Sequence, residues 1–428
     1  MSLSEVPDDL LVAILSHLRL EERHTTAAAV CRRWRRLVNT PQLLAASEFI
    51  LEPTGEQAAT ALPSFCLWLA RHGRGHVRRL VLRLEGGSRA AAMLLAVAGP
   101  SLEELSLQCR QPIHACGWMG LEAMRGLRRL EVGSNGGDSC QMDADLALLT
   151  CLERLHLNGV DRVASLPVSL TCLLLDGYRG RALPRQIAKL TRLQSLAIWD
   201  CQLDSGSLGL APLHALSGCL AQLAVRCCAH VPPGLSLLTS LQRLCLLPEG
   251  VAELEWQMDV APGLAVLEAL PHLRRLRHLA GGCMQLESFL LPALAAARSL
   301  CFLGVDAFPF GSSPVPPEVL AWAAGLPMLR HVILGSADAT EGARAIVALR
   351  ARCPRIIDFG AADFHHSFAM PPGVLSRLPP APPAAGAAPA EPAAPAAPPL
   401  LVFKRYYPPY QFQRFLLRAC IVPDDDSF

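Results

Sequence analysis

The sequence predicts an α/β chain: an amino-terminal three-helix module, then a solenoid of repeats that each supply a short strand, then a proline-rich linker and a short tail. Three observations predict this. Apolar residues recur at helical spacing from position 10. A pattern with apolar residues at its first, fourth and sixth positions returns every 25 residues from Val77. From Pro371 to Pro399 the chain turns to proline and alanine with almost no charge.

The first helix begins after Pro7, whose missing N–H would be unpaired at a helix start in any case. Asp8 and Asp9 follow in the first turn, where negative charge suits the helix dipole. Leu10, Leu11, Ile14, Leu15 and Leu18 then recur along one helical face. A second helix is expected over roughly Glu21–Ala29. A third, Val30–Val38, places Trp34, Leu37 and Val38 inward and Arg32, Arg33, Arg35 and Arg36 outward, and Pro41 ends it. A segment of about 40 residues is small for an independent core, so its leftover apolar surface invites a helical partner.

The order Val6-Pro7, Leu10-Leu11, Ile14-Leu15, Val30-Cys31, Trp34, Leu37, Pro41 resembles the F-box, the module that docks substrate receptors onto SCF-type ubiquitin ligases. The resemblance implies a Skp-type adaptor and, through it, a cullin as partners. It implies that Pro7, Leu10, Leu11, Ile14, Leu15 and Leu18 carry the adaptor contact.

Between this module and the first repeat, SFCLWLARHG from Ser64 reads as a helix that caps the array. The repeats follow: VRRLVL from Val77, LEELSL from Leu102, LRRLEV from Leu127 and LERLHL from Leu152. Further copies are LTCLLL from Leu170, LQSLAI from Leu193, LAQLAV from Leu220 and LQRLCL from Leu241, with looser ones from Leu300 and Leu329. Each supplies a short strand whose alternate residues face inward, and stacking joins their leucines into one core. LPRQIAKLTR from Leu183 and APLHALSGC from Ala211 supply return segments, and Asn135, Cys201 and Cys228 fall where a side chain can satisfy the turn backbone. The stretch from Pro248 to Cys283 fits the register poorly, so an irregular repeat or an inserted loop is expected there. The pattern resembles the leucine-rich repeat, and LPRQIAKLTRLQSLAIWDCQL its plant and bacterial type. The resemblance implies a horseshoe-shaped array and a plant- or algal-like F-box/leucine-rich-repeat protein. The expected organisation is therefore 3–45 F-box, 46–76 helical connector, 77–368 repeats, 369–399 disordered linker and 400–428 tail.

Composition bounds the function. Half the residues are apolar and the formal charge is +2, so a bulk nucleic-acid binder is not expected. Of the 39 basic residues only Lys189 and Lys404 are lysines. Sixteen cysteines would suit a secreted disulfide scaffold, but many occupy apolar repeat positions and the first residues carry Glu5, Asp8 and Asp9 rather than a leader. A cytoplasmic or nuclear location follows as the expectation. Ser205–Val225 lacks Asp, Glu, Lys and Arg, but Pro212, His214 and Gln222 and its repeat leucines argue against a membrane span. The tail carries Tyr406, Tyr407, Tyr410, Phe403, Phe412 and Phe415, which suits docking on a partner or capping of the array.

No catalytic signature stands out. Cys219, Cys227, Cys228 and His230 match no common zinc spacing. GSNGGD from Gly133 lacks the lysine and hydroxyl residue of a phosphate loop, and His365-His366 sits on no obvious scaffold. Neither an enzyme nor a cofactor or metal site is expected. Recognition falls to the concave strand face, at positions 3, 5 and 7 of each repeat. Arg79, Arg83, Glu104, Glu131, Arg129, Arg154, His156, Trp199, Arg226 and Arg243 occupy it, and Trp199 is favoured because Trp and Arg dominate binding hot spots. The arginines suit an acidic or phosphorylated target. The expected function is a substrate receptor, a monomer within a hetero-complex, that holds a target protein for ubiquitination. A leucine-rich-repeat scaffold or small-molecule sensor is the alternative.

Overall fold

In the computed structural model the helical module packs on a few leucines and then gives way to parallel strands. The structure describes residues 5–18, 22–46, 48–51, 57–73, 75–84, 88–111, 113, 118–134, 140–180, 183–199, 201, 211–226, 234–247, 269–281, 297–306, 325–335 and 358–362. They fall in two compact units, residues 1–220 and 221–428.

In the first unit, α1 (Asp8–Ser16) starts after Pro7, whose carbonyl accepts from the Leu11 N–H at 3.1 Å. A π-type turn, Arg23–Ala27, runs into the single turn α2 (Ala28–Val30). Cys31 then adopts an extended backbone and caps α3 (Arg32–Leu37), its Sγ accepting from the Trp34 N–H at 3.5 Å. The second and third expected helices are thus separated by an N-cap, as four unpaired N–H groups at a helix start require acceptors. Pro41 is not what ends α3, which stops at Leu37. It occupies the first position of a further helix, α4 (Pro41–Ala46), where proline costs no hydrogen bond. Leu11, Leu15, Ala27, Ala28, Leu37, Val38 and Leu43 form the core, with Val6, Val12, Leu18 and Trp34 packed against it.

The connector holds a helix, α5 (Gln57–Trp68), continued by a π-type turn at Leu69–Gly73. It also holds a strand that periodicity did not reveal. β1 (Glu48–Leu51) pairs in parallel with β2 (Arg79–Leu84), so the array starts before the first recognisable repeat. After β2 come α6 (Ser88–Val97), β3 (Glu104–Cys109), β4 (Arg129–Ser134), β5 (Cys140–Met142), β6 (Arg154–Asn158), β7 (Val160–Val163), β8 (Cys172–Asp176) and β9 (Ser195–Trp199). β1, β2, β3, β4, β6, β8 and β9 lie side by side in that order, all parallel, while β5 and β7 pair separately. The expected return segments are 3₁₀ helices, Arg185–Lys189 and Ala211–Leu216. On or directly after them, Ile187, Leu190, Leu213 and Leu216 are buried, at 1 % exposure or less. Cys201 is buried, and its thiol donates to the Trp199 carbonyl at 3.0 Å, in the turn role expected of it.

The second unit repeats the scheme with β10 (Gln222–Arg226), β11 (Arg243–Leu247), β12 (His278–Gly281), β13 (Phe302–Asp306), β14 (His331–Gly335) and β15 (Asp358–Ala362), each parallel to the next. β12 lies inside the stretch expected to be irregular. Its register places Leu276, Leu279 and Gly281 where Leu241, Leu244 and Leu246 stand in the preceding repeat. The glycine at the sixth position breaks the apolar pattern and hides the repeat in the sequence. Asn135, Cys228, the 369–399 linker, the 400–428 tail, Cys227, His230 and His365-His366 lie outside the described residues.

Candidate functional site

Two surfaces qualify, one on α1 and one on the strands. On and just after α1, the four leucines and one isoleucine predicted to meet the adaptor do not share a face. Leu11 and Leu15 are fully buried, whereas Leu10 and Ile14 are 55 % and 50 % exposed and Leu18 is half-buried. The correction has a plain cause. A helix turns 100° per residue, so the pairs 10/14 and 11/15 form adjacent stripes, and the module's own core takes the second. Pro7 stays exposed at the helix start.

Asp8 clamps this helix start. Its carboxylate accepts from Arg33 Nε at 2.7 Å and from Arg36 Nη2 at 2.9 Å. Arg33, expected to point outward, is therefore half-buried against the α1 terminus. The hydrogen bond from Arg33 holds the Asp8 carboxyl below its ordinary value; burial opposes it, and the two guanidinium charges and the Arg36 hydrogen bond add to it.

Arg23 is buried at 7 % exposure, with Nε donating to the Leu18 carbonyl at 3.1 Å and Nη1 to that of Leu43 at 3.4 Å. It joins the segment that follows α1 to the middle of α4, and burial lowers its pKa. Its neighbour His24 meets the edge of Trp68 with ring centroids 5.6 Å apart. Trp68 in turn stacks on Phe65 and tilts against His72, so the helical module is seated on α5 through aromatic rings. Burial, with Arg23 and His72 nearby, lowers the His24 pKa.

The outward strand face is a grid in which in-register neighbours stand about 4.8 Å apart. Its third-position row runs Arg79, Glu104, Arg129, Arg154, Cys172, Ser195. Glu104 lies between Arg79 and Arg129, at 3.7 and 3.6 Å. The fifth-position row runs Val81, Ser106, Glu131, His156, Leu174, Ala197. There Glu131 faces His156 Nδ1 at 3.4 Å and accepts from Gln108 Nε2 at 3.1 Å. The bond from His156 is the main cause that holds the Glu131 pKa down at about 2; burial opposes it, and the His156 charge and bonds from Ser106 and Gln108 add to it.

The predicted target residues therefore divide. Arg129 and Arg154 are exposed on this grid and His156 is half-buried within it. Trp199 is recessed, because β9 is buried on both faces: Ser195, Leu196, Ala197 and Ile198 are all below 8 % exposure. Its Nε1 has no hydrogen-bond partner among the described residues. Arg243, on β11, is 8 % exposed and so presents little surface. Arg226 occupies the last position of β10, opposite Leu247 in the register, and its side chain lies outside the described part. Sequence reasoning missed the Asp8 clamp and the Arg23 bridge, since both join segments whose proximity no local spacing reveals.

Among the described residues no group of three or more His, Cys, Asp or Glu is placed to hold a metal ion. Among them, too, no helix is long and apolar enough to cross a membrane.

Residues 3–45 match the F-box-like family. No curated protein matches the chain. Among solved structures, a leucine-rich-repeat protein of Leptospira interrogans is similar at 16 % identity, with 73 % of this chain and 77 % of that chain covered and a TM-score of 0.42. Residues 3–45 thus form an F-box-like helical domain, and the parallel strands follow it in the chain.

Proposed function

We propose that this chain is a non-catalytic substrate receptor of an SCF-type ubiquitin ligase. In this reading the F-box-like domain binds a Skp-type adaptor and through it a cullin, and the repeats hold a target protein. The observation that carries the reading is the outer stripe of α1. Leu10 and Ile14 stand one turn apart, half exposed, on a helix whose neighbouring stripe is sealed in the core. Burying the exposed half of each side chain against a partner helix contributes about 1 kcal/mol each. The receptor adds no chemistry of its own. It holds a target lysine near a charged conjugating enzyme and so raises the effective concentration of the reacting groups. No cofactor takes part, and the chain acts as one copy within a hetero-complex in the cytoplasm or nucleus.

Co-precipitation with the adaptor tests the proposal. Wild type captures it, and Leu10→Asp/Ile14→Asp loses capture while keeping the wild-type circular dichroism spectrum. A wild-type chain that fails to capture the adaptor, or a double variant that captures it equally, sinks the proposal.

A further inference from the structure

The second- and third-position rows of the array carry the same kind of charge pattern, and one of them is incomplete. The second-position row runs Arg78, Glu103, Arg128, Glu153 on successive repeats. Its signs alternate throughout, with Arg78–Glu103 at 3.2 Å and Arg128–Glu153 at 3.6 Å. The third-position row begins in the same way, with Arg79 and Arg129 sharing Glu104. At the next repeat, where alternation calls for a carboxylate, stands Arg154, directly beside Arg129 in the register.

Arg154 is exposed, and no ion-pair partner for it appears among the described residues. Its other neighbour in the row is Cys172, which brings no acceptor carboxylate. The adjacent carboxylate of the fifth-position row, Glu131, is already engaged by His156 and Gln108. Two guanidinium groups on neighbouring strands repel each other, and the fold supplies no anion between them. An arginine fork matches a carboxylate in two parallel hydrogen bonds, so the missing member of the row is one carboxylate from outside.

We propose that Arg129 and Arg154 form an anion-recognition site on the outward strand face, and that its occupant is an aspartate or glutamate side chain in an acidic segment of the target protein. The inference rests on the reading that the repeats hold a target protein, and it names the chemistry of that target. One carboxylate completes the alternation of the row and relieves the repulsion between the two arginines.

The test uses the full chain alone and fluorescein-labelled peptides read by anisotropy. The probes are an alternating Glu/Ala peptide, its Lys/Ala counterpart, and a version with phosphoserine in place of glutamate. Wild type binds the Glu/Ala peptide and not the Lys/Ala peptide. Arg154→Glu supplies the carboxylate internally, so it weakens Glu/Ala binding by about tenfold or more, the loss of one charged hydrogen-bonded contact. The same variant melts at or above the wild-type temperature, which separates a lost contact from a lost fold. Arg154→Gln weakens binding in the same direction, and Arg78→Gln, in the compensated row, leaves it unchanged. No binding of the Glu/Ala peptide, equal binding of the Lys/Ala peptide, or unchanged binding by Arg154→Glu overturns the proposal. Binding of the phosphoserine peptide alone overturns the carboxylate assignment. Adaptor capture, measured on the same samples, reports separately on the receptor reading: its loss with peptide binding retained sinks that reading and leaves this site standing.

Discussion

Leu11 and Leu15 lie beside Leu10 and Ile14 in sequence, and only the first pair is sealed in the core. Leu11→Ala opens a cavity in the small helical core and costs about 2–5 kcal/mol, which a fall in the urea midpoint measures. Leu10→Ala, at a 55 % exposed site, changes stability by about 0.5 kcal/mol or less while weakening adaptor capture. The Glu131 carboxyl makes a pH prediction at the same scale. Its pKa is depressed in the folded chain, from 4.5 to about 2. The contribution it makes to stability is therefore complete above 4.5 and is lost as the pH falls from there towards 2. Because the side chain is 37 % exposed, solvent screening keeps that contribution small. Glu131→Gln flattens the acid limb of the melting temperature against pH across that window; an unchanged slope would falsify the assignment. Asp8 follows the same sign, since it too is depressed and its clamp is lost on protonation.

At the scale of elements, the junction of the helical module with α5 is sensitive to acid. His24 is half-buried against Trp68, with Arg23 and His72 as the charged and titratable groups noted beside it, and its pKa is lowered from 6.5. A depressed histidine stabilises the junction in its neutral form, fully above 6.5, and that stabilisation is lost as the pH drops through the lower folded value. Protection of the amides of residues 22–46, taken relative to the intrinsic exchange rate at each pH, then falls as the solution is acidified below 6.5, and His24→Phe removes the fall. If the variant keeps the same pH dependence, the junction titrates elsewhere. The strands differ among themselves as well. β2, β3 and β6 alternate between buried and more exposed positions, so their outward residues are open to a partner, whereas β9 is closed on both faces. The expectation that Trp199 leads the target face treated every repeat as equivalent, and burial of β9 breaks that equivalence.

At the scale of the whole molecule, the shortage of lysine has a consequence under the receptor reading. Lys189, at the end of the Arg185–Lys189 helix, is exposed, and Lys404 lies outside the described residues. Self-modification on lysine is confined to these two positions. Lys189→Arg/Lys404→Arg then removes isopeptide-linked conjugates in a reconstituted ligase, and mass spectrometry that still finds dense modification sinks the prediction. The same scale separates what each source of information decided. The sequence by itself determined the helical module, the array of repeat strands, the 25-residue phase of the first repeats and the rows that face outward, because helix and strand periodicities are local and each repeat restates its own pattern. Where one apolar position is a glycine, as at Gly281 of β12, that local signal fails and only the register recovers the repeat. Tertiary structure alone decided which stripe of α1 stays in water, that Arg23 and Arg33 turn inward, that β1 opens the array and that Trp199 is recessed. Each of these depends on which distant segment covers a side chain, and burial by a distant segment leaves no trace in the spacing of neighbouring residues.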